Sequence, residues 1–159
     1  MASPGTVRSA GSAKASDVTQ STCLLVDLDT GDIAAARAHL EAHLGRASLV
    51  VTSGGITEAG QPRLHLYWRL TTVAEGADLV RLSALRGELA TKVGGDPSFA
   101  SMHQPIRLAG SIHAKSRHRR LVQIIDHSGR VHALPEIASA VSTMPPLPGH
   151  ATAIKIDTA

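Results

Sequence analysis

Apolar and polar positions alternate with two different periods along this 159-residue chain, and the switches between them outline a fold. CLLVDL, residues 23–28, is a short apolar run of strand type. GDIAAARAHLEAHLG then places Ile33, Ala36, Leu40 and Leu44 on one helical stripe, with Gly45 as a stop. ASLVVTS predicts a second strand, GGITEAGQP turn material, and LHLYWRL a third strand. AEGADLVRLSALRGELATKVGG predicts a long helix with Leu79, Leu82, Leu85 and Leu89 inward. IRLAGSIH and RRLVQIID follow as strands, HSGR as a turn, and a short helix starts at Pro135.

The order β-α-β-β-α-β, plus an extra strand and helix, predicts an α+β fold of the split βαβ (RRM-like) type. Its sheet is expected to be mostly antiparallel, with the helices on one face and the active site on the other. The first and third strands are central neighbours in that topology. Period two then sorts the side chains. Leu24, Val26 and Leu28 point to the helices, while Asp27 and Asp29 share the opposite face. His65, Tyr67 and Arg69 occupy that same face of the third strand, and Trp68 points inward. In the fourth strand Ile106, Leu108 and Ile112 are expected inward, with Arg107, Ser111 and His113 outward and Lys115 just beyond.

Residues 1–20 are small, polar and aperiodic, which predicts a disordered N-terminal tail. Residues 143–159 carry a Pro-rich stretch and read as a linker or tail, leaving residues 21–142 as the folded domain.

Composition narrows the chemistry. A hydrophobic content of 43% supports a real core. The net charge of +3 permits an anionic partner without requiring one, and twelve of the sixteen basic residues are arginine, the better bidentate phosphate ligand. The lone Cys23 excludes a disulfide framework and a cysteine zinc cluster. His103, His113 and His118 fit no familiar zinc spacing. No apolar stretch approaches the ~20 residues of a membrane span, so the expectation is a soluble, cytoplasmic protein.

Two carboxylates side by side on a strand repel each other unless something positive lies between them. Asp27 and Asp29 suit a hard divalent cation, Mg²⁺ or Mn²⁺, although DLDTGD also reads as a strand running out into a solvated turn. Asp96, in VGGDPSF, offers a third acid and equally an N-cap for the turn that Pro97 begins. Arg107, Ser111, Lys115 and the cluster Arg117, Arg119 and Arg120 gather donors fit for phosphate.

VDLD, then SGG…HLYW, then GDPSF…QPIRLAGSIHAK resembles the archaeo-eukaryotic primase (AEP) superfamily, specifically the RepB-like primases and primase-polymerases of plasmids and phages. The resemblance spans residues 24–125. It implies a metal-dependent nucleotidyltransferase that makes primers on a single-stranded DNA template from NTPs or dNTPs. Asp27, Asp29 and Asp96 would be the catalytic, metal-binding acids, and His65, Arg107, Ser111 and Lys115 would hold the nucleotide triphosphate. Arg117, Arg119 and Arg120 would contact nucleic acid. A replicative helicase is a further partner it implies, although the chain has no G-x-x-x-x-G-K loop. Ala109 stands where such proteins commonly have proline.

Two rival readings remain from the sequence. DLDTG after an apolar strand is also similar to haloacid-dehalogenase phosphotransferases, which need a parallel sheet. A non-catalytic single-stranded nucleic-acid-binding module shares the split βαβ fold, but one Trp, one Tyr and one Phe leave little for base stacking.

Overall fold

A computed structural model of the chain describes residues 5–7, 14–115 and 118–150. The strands are β1 (Gly5–Val7), β2 (Val18–Leu28), β3 (Leu49–Ile56), β4 (Pro62–Glu75), β5 (Ile112–His113), β6 (Arg120–Leu121), β7 (Gln123–His127) and β8 (Val131–His132). The helices are α1 (Ile33–Leu44), α2 (Ala77–Val93) and α3 (Leu134–Thr143), with 3-10 turns at Ala15–Asp17 and Pro97–Ala100.

The main sheet runs β1-β2-β4-β3-β7, antiparallel throughout, and the short β8 adds parallel to β4. The first and third expected strands are indeed central neighbours, with Leu24 opposite Trp68 and Asp27 opposite His65. An antiparallel sheet removes the haloacid-dehalogenase reading, which requires parallel strands.

The helices pack on one face. Leu24, Val26 and Leu28 of β2 and Leu64, Leu66, Trp68 and Leu70 of β4 meet the predicted α1 stripe of Ile33, Ala36, Leu40 and Leu44. Leu82, Leu85, Leu89 and Val93 of α2 and Ile137 and Val141 of α3 complete this core. Fully buried Trp68 donates its indole N–H to the Gly45 carbonyl at 2.8 Å, satisfying an orphan acceptor at the end of α1. Asp32 caps the other end by accepting from the Ala35 amide at 3.1 Å. Arg86 shares the buried face of α2, and burial pushes its pKa down to about 10.

The expected fourth strand is a correction. Of residues 106–113, Ile112 and His113 alone form a strand, and they pair with Arg120 and Leu121 in a separate ribbon, while Ile106 makes an isolated bridge. Residues 108–111 form a turn instead, closed by the Ser111 amide on the Leu108 carbonyl at 3.1 Å, with Gly110 at φ +89°. A positive φ at the third turn position is a glycine requirement, and Ala109 sits at the second position, where proline's fixed φ suits. The turn resets the alternation, so the sequence parity fails beyond it. Leu108 and Ile112 are 55% and 54% exposed, whereas His113 is buried. The last long strand, β7, lies outside β3, while β1 flanks β2.

The ends also differ from expectation where they are described. β2 begins at Val18, inside the expected tail. The segment after α3 folds back on α2: Met144 is buried, and the Leu147 amide donates to the Lys92 carbonyl at 2.8 Å. Lys92 Nζ in turn donates to the Val141 and Met144 carbonyls. Residues 1–4, 8–13 and 151–159 lie outside the described residues. No helix among the described residues is long and apolar enough to cross a membrane.

Candidate active site

The sheet face turned away from the helices carries the chemistry. Asp27 sits on β2 opposite His65, and Asp29 follows just beyond the strand end. Asp96 arrives from the far end of α2. Gly94, left-handed at φ +69°, stops that helix, and the Gly95 amide returns to the Ala90 carbonyl at 2.9 Å. Gly95 then presses on β2 so closely that a Cβ there would lie 2.6 Å from the Asp27 carbonyl oxygen. The Thr30 hydroxyl donates to the Gly94 carbonyl at 2.8 Å, tying the two acid-bearing turns together. The three carboxylates consequently offer oxygens that all lie within 4.8 Å of one another. Asp96 also caps the 3-10 turn, accepting from the Ser98 amide at 2.8 Å, which is the N-cap role the sequence offered.

Electrostatics matches this crowding. The Asp29 carboxyl is held above its ordinary pKa, first by burial and next by the charge of Asp27, with Asp96 adding and Arg63 opposing. Asp27 Oδ1 lies 3.3 Å from His65 Nε2, and His65 is buried against the sheet near the Phe99 ring. His65 Nδ1 has no hydrogen-bond partner among the described residues.

Asp27, Asp29, Asp96 and His65 border a cavity of about 310 Å³ together with Arg107 and Lys115. Six of the expected residues thus converge. Ser111 does not, because its hydroxyl donates to the Leu108 carbonyl at 2.6 Å within the turn. Arg120 borders a neighbouring hollow beside Gly54 and Leu121, Arg119 is exposed, and Arg117 lies outside the described residues.

Three polar side chains that border the cavity were not assigned to the site from the sequence: Ser53, Arg63 and His113. Arg63 was legible, since it lies two residues before His65 and so on the same face of β4. The glycines beside Ser53 explain the others. Gly54, at φ +81°, lies so close to the ribbon that a Cβ there would collide with His113 Cβ. A Cβ on Gly55 would come within 2.7 Å of Arg63 Cδ. The missing side chains let β5 and Arg63 close on β3. His113 is held below its ordinary pKa by burial and then by the charges of Arg107, Arg120, Lys115 and Arg63. A neutral imidazole therefore lies among cations.

Neither a protein-family profile nor a curated protein sequence matches the chain. Solved structures do. The AEP domain of the cyanophage S-2L primase-polymerase (PrimPol) superposes with a TM-score of 0.64 at 21% identity, covering 80% of this chain and 64% of that one. This is the fold of an AEP primase domain. Primase RepB′ superposes with a TM-score of 0.53 at 20% identity, covering 76% of this chain and 39% of that one. The chain therefore spans less than two thirds of either solved structure.

Proposed function

We propose that this AEP-fold chain is the catalytic domain of a DNA primase or primase-polymerase, a nucleotidyltransferase of a plasmid, phage or other mobile element. The observation that carries the reading is the convergence of three carboxylates within 4.8 Å beside a cavity bordered by Arg63, Arg107 and Lys115. Acids alone would fit a turn, and cations alone a solvated face. Their juxtaposition fits a substrate that brings its own negative charge, such as a nucleoside triphosphate.

The all-oxygen donor set of Asp27, Asp29 and Asp96 suits Mg²⁺ or Mn²⁺, whose chemistry is to make a 3′-hydroxyl nucleophilic and to neutralise a pyrophosphate leaving group. His65 Nε2, 3.3 Å from Asp27 Oδ1, can orient that carboxylate at the cavity both residues border. Arg107 and Lys115 hold the triphosphate, and Arg63 joins them while offsetting the charge of Asp29. Neutral His113 can donate a hydrogen bond without competing for the same anion as a full charge. The nucleotide is then positioned and electrostatically supported, with little covalent work left for the protein.

The test is primer synthesis on single-stranded DNA with labelled NTPs or dNTPs and Mg²⁺ or Mn²⁺. Template-dependent products are expected. Nucleotide binding without any incorporation, under either metal and either sugar, contradicts the proposal.

A further inference from the structure

We infer that the open face of the sheet beyond His65 is a bed for single-stranded nucleic acid, gripped by Arg69 and Arg130. The inference deepens the primase reading and rests on it for the identity of the strand as template. Along β4, Arg63, His65, Tyr67 and Arg69 alternate onto the same face, so Arg69 lies ~13 Å along the strand from His65. There a second cavity of about 420 Å³ opens, bordered by Tyr67, Arg69, Leu49, Ile124, His127 and Arg130.

Its charge is one-sided. Arg69 and Arg130 are exposed, and neither guanidinium has an ion-pair partner among the described residues. No carboxylate borders this hollow. The acid of β7, Asp126, pairs with Val50 of the helix-side core and is bound there by Arg37 and by Arg46, the latter at 2.6 Å. An anion is the complementary occupant, and the floor specifies which kind. Ile124 is 55% exposed beside Leu49, giving an apolar surface on which a base can lie while its phosphates meet the arginines.

Continuity with the catalytic cavity favours a polymer over a small anion. Tyr67 borders this hollow and packs on a cluster of Leu25, Phe99 and Ile106. Phe99 and Ile106 border the catalytic cavity, so one layer of side chains separates the two. A strand whose base pairs with the incoming nucleotide passes over that layer into the groove. An acidic protein segment would satisfy the arginines but gives no reason for the continuity.

The test uses Arg69→Gln/Arg130→Gln, with anisotropy of a labelled oligodeoxynucleotide read across a salt series. Each phosphate that a protein neutralises on a single strand adds ~0.7 to the steepness of log K against log salt, so the double variant should flatten the slope by ~1.4 and bind more weakly. Calorimetry with Mn²⁺ and a non-hydrolysable nucleotide should be unchanged, because neither arginine borders the catalytic cavity. Arg130→Gln alone, in an exposed turn, should give about half the slope change and guards against misfolding of the double variant. A wild-type slope and affinity in both variants would overturn the groove, whether the true occupant is acidic protein or nothing. Primer synthesis by the wild type in that case leaves the primase reading standing. A flattened slope without any primer synthesis supports the groove and sinks the primase reading.

Discussion

Asp27 and His65 face each other across the two central strands, carboxylate oxygen to imidazole Nε2 at 3.3 Å. The pair joins the acid cluster to the buried sheet. A histidine that fixes a metal-ligating carboxylate acts through that carboxylate, and loss of such an outer partner typically costs ~10–100-fold in metal affinity. His65→Ala is expected to weaken Mn²⁺ binding by roughly that factor. Lys115→Ala should weaken nucleotide binding and leave Mn²⁺ binding alone. Electron paramagnetic resonance titration of Mn²⁺ separates the two; equal Mn²⁺ affinity in wild type and His65→Ala would refute the coupling.

Asp29 gives a pH dependence of definite sign. Its folded-state pKa is raised, so the stability it contributes is fully present below the ordinary carboxylate pKa and is lost as pH rises through the folded value. With Asp29 ionised, the metal-free protein thus carries a penalty of burial and repulsion that Arg63 only partly offsets. Asp29→Asn should raise the melting temperature of the metal-free protein at neutral pH while abolishing incorporation. Mn²⁺ should raise the wild-type melting temperature at neutral pH and do so less as pH falls into the carboxylate range. Thermal melts at both pH values check this, and a destabilised Asp29→Asn would contradict it.

Gly54 and Gly60 have nearly the same backbone angle, φ +81° and +80°, but a Cβ on Gly60 would meet nothing within 4 Å. Gly60→Ala therefore measures left-handed strain alone, of order 1–3 kcal/mol (about that for any residue with a Cβ). Gly54→Ala adds the collision with His113 and is expected to cost more stability. It should also weaken nucleotide binding, because the ribbon carrying His113 leads directly to Lys115. Equal effects of the two substitutions on nucleotide affinity would show that the ribbon's seat does not matter.

Residues 64–70 declared their faces by alternation, residues 23–28 took theirs from the spacing of Asp27 and Asp29, and the split βαβ strand order then put Asp27 on the face of His65. The α1 stripe was legible for the same reason, its four apolar residues all being buried. Residues 106–113 were misread because the parity was carried through Gly110, whose positive φ ends extended structure without any apolar signal. Arg63 was missed only because the third strand was started at Leu64, two residues late. The approach of Asp96 to Asp27 rests on the close backbone packing of Gly95, which has no side chain to reveal it in sequence. The seat of Met144 on α2 is tertiary, and a Pro-rich stretch reads as linker whether or not it packs.

His150 lies over both acid-bearing turns. A Cβ on Gly94 would collide with its Cε1, and one on Gly31 would fall 3.7 Å from its Nε2. Gly31 is two residues after Asp29, and Gly94 two before Asp96. His150→Ala should loosen the spacing of the two carboxylates. The expected result is weaker Mn²⁺ binding, read as a higher metal concentration at half-maximal stabilisation, with little change in the metal-free melting temperature. A lowered metal-free melting temperature with unchanged metal affinity would make His150 a packing residue only.

The most direct test of the three-acid centre is incorporation of a labelled nucleotide opposite a single-stranded DNA template by wild type, Asp27→Asn, Asp29→Asn and Asp96→Asn, each confirmed as folded by thermal melt. Template-dependent products from the wild type, and none above background from any of the three variants, are the expected result. Near-wild-type extension by Asp27→Asn or Asp29→Asn would contradict a catalytic metal centre at these carboxylates.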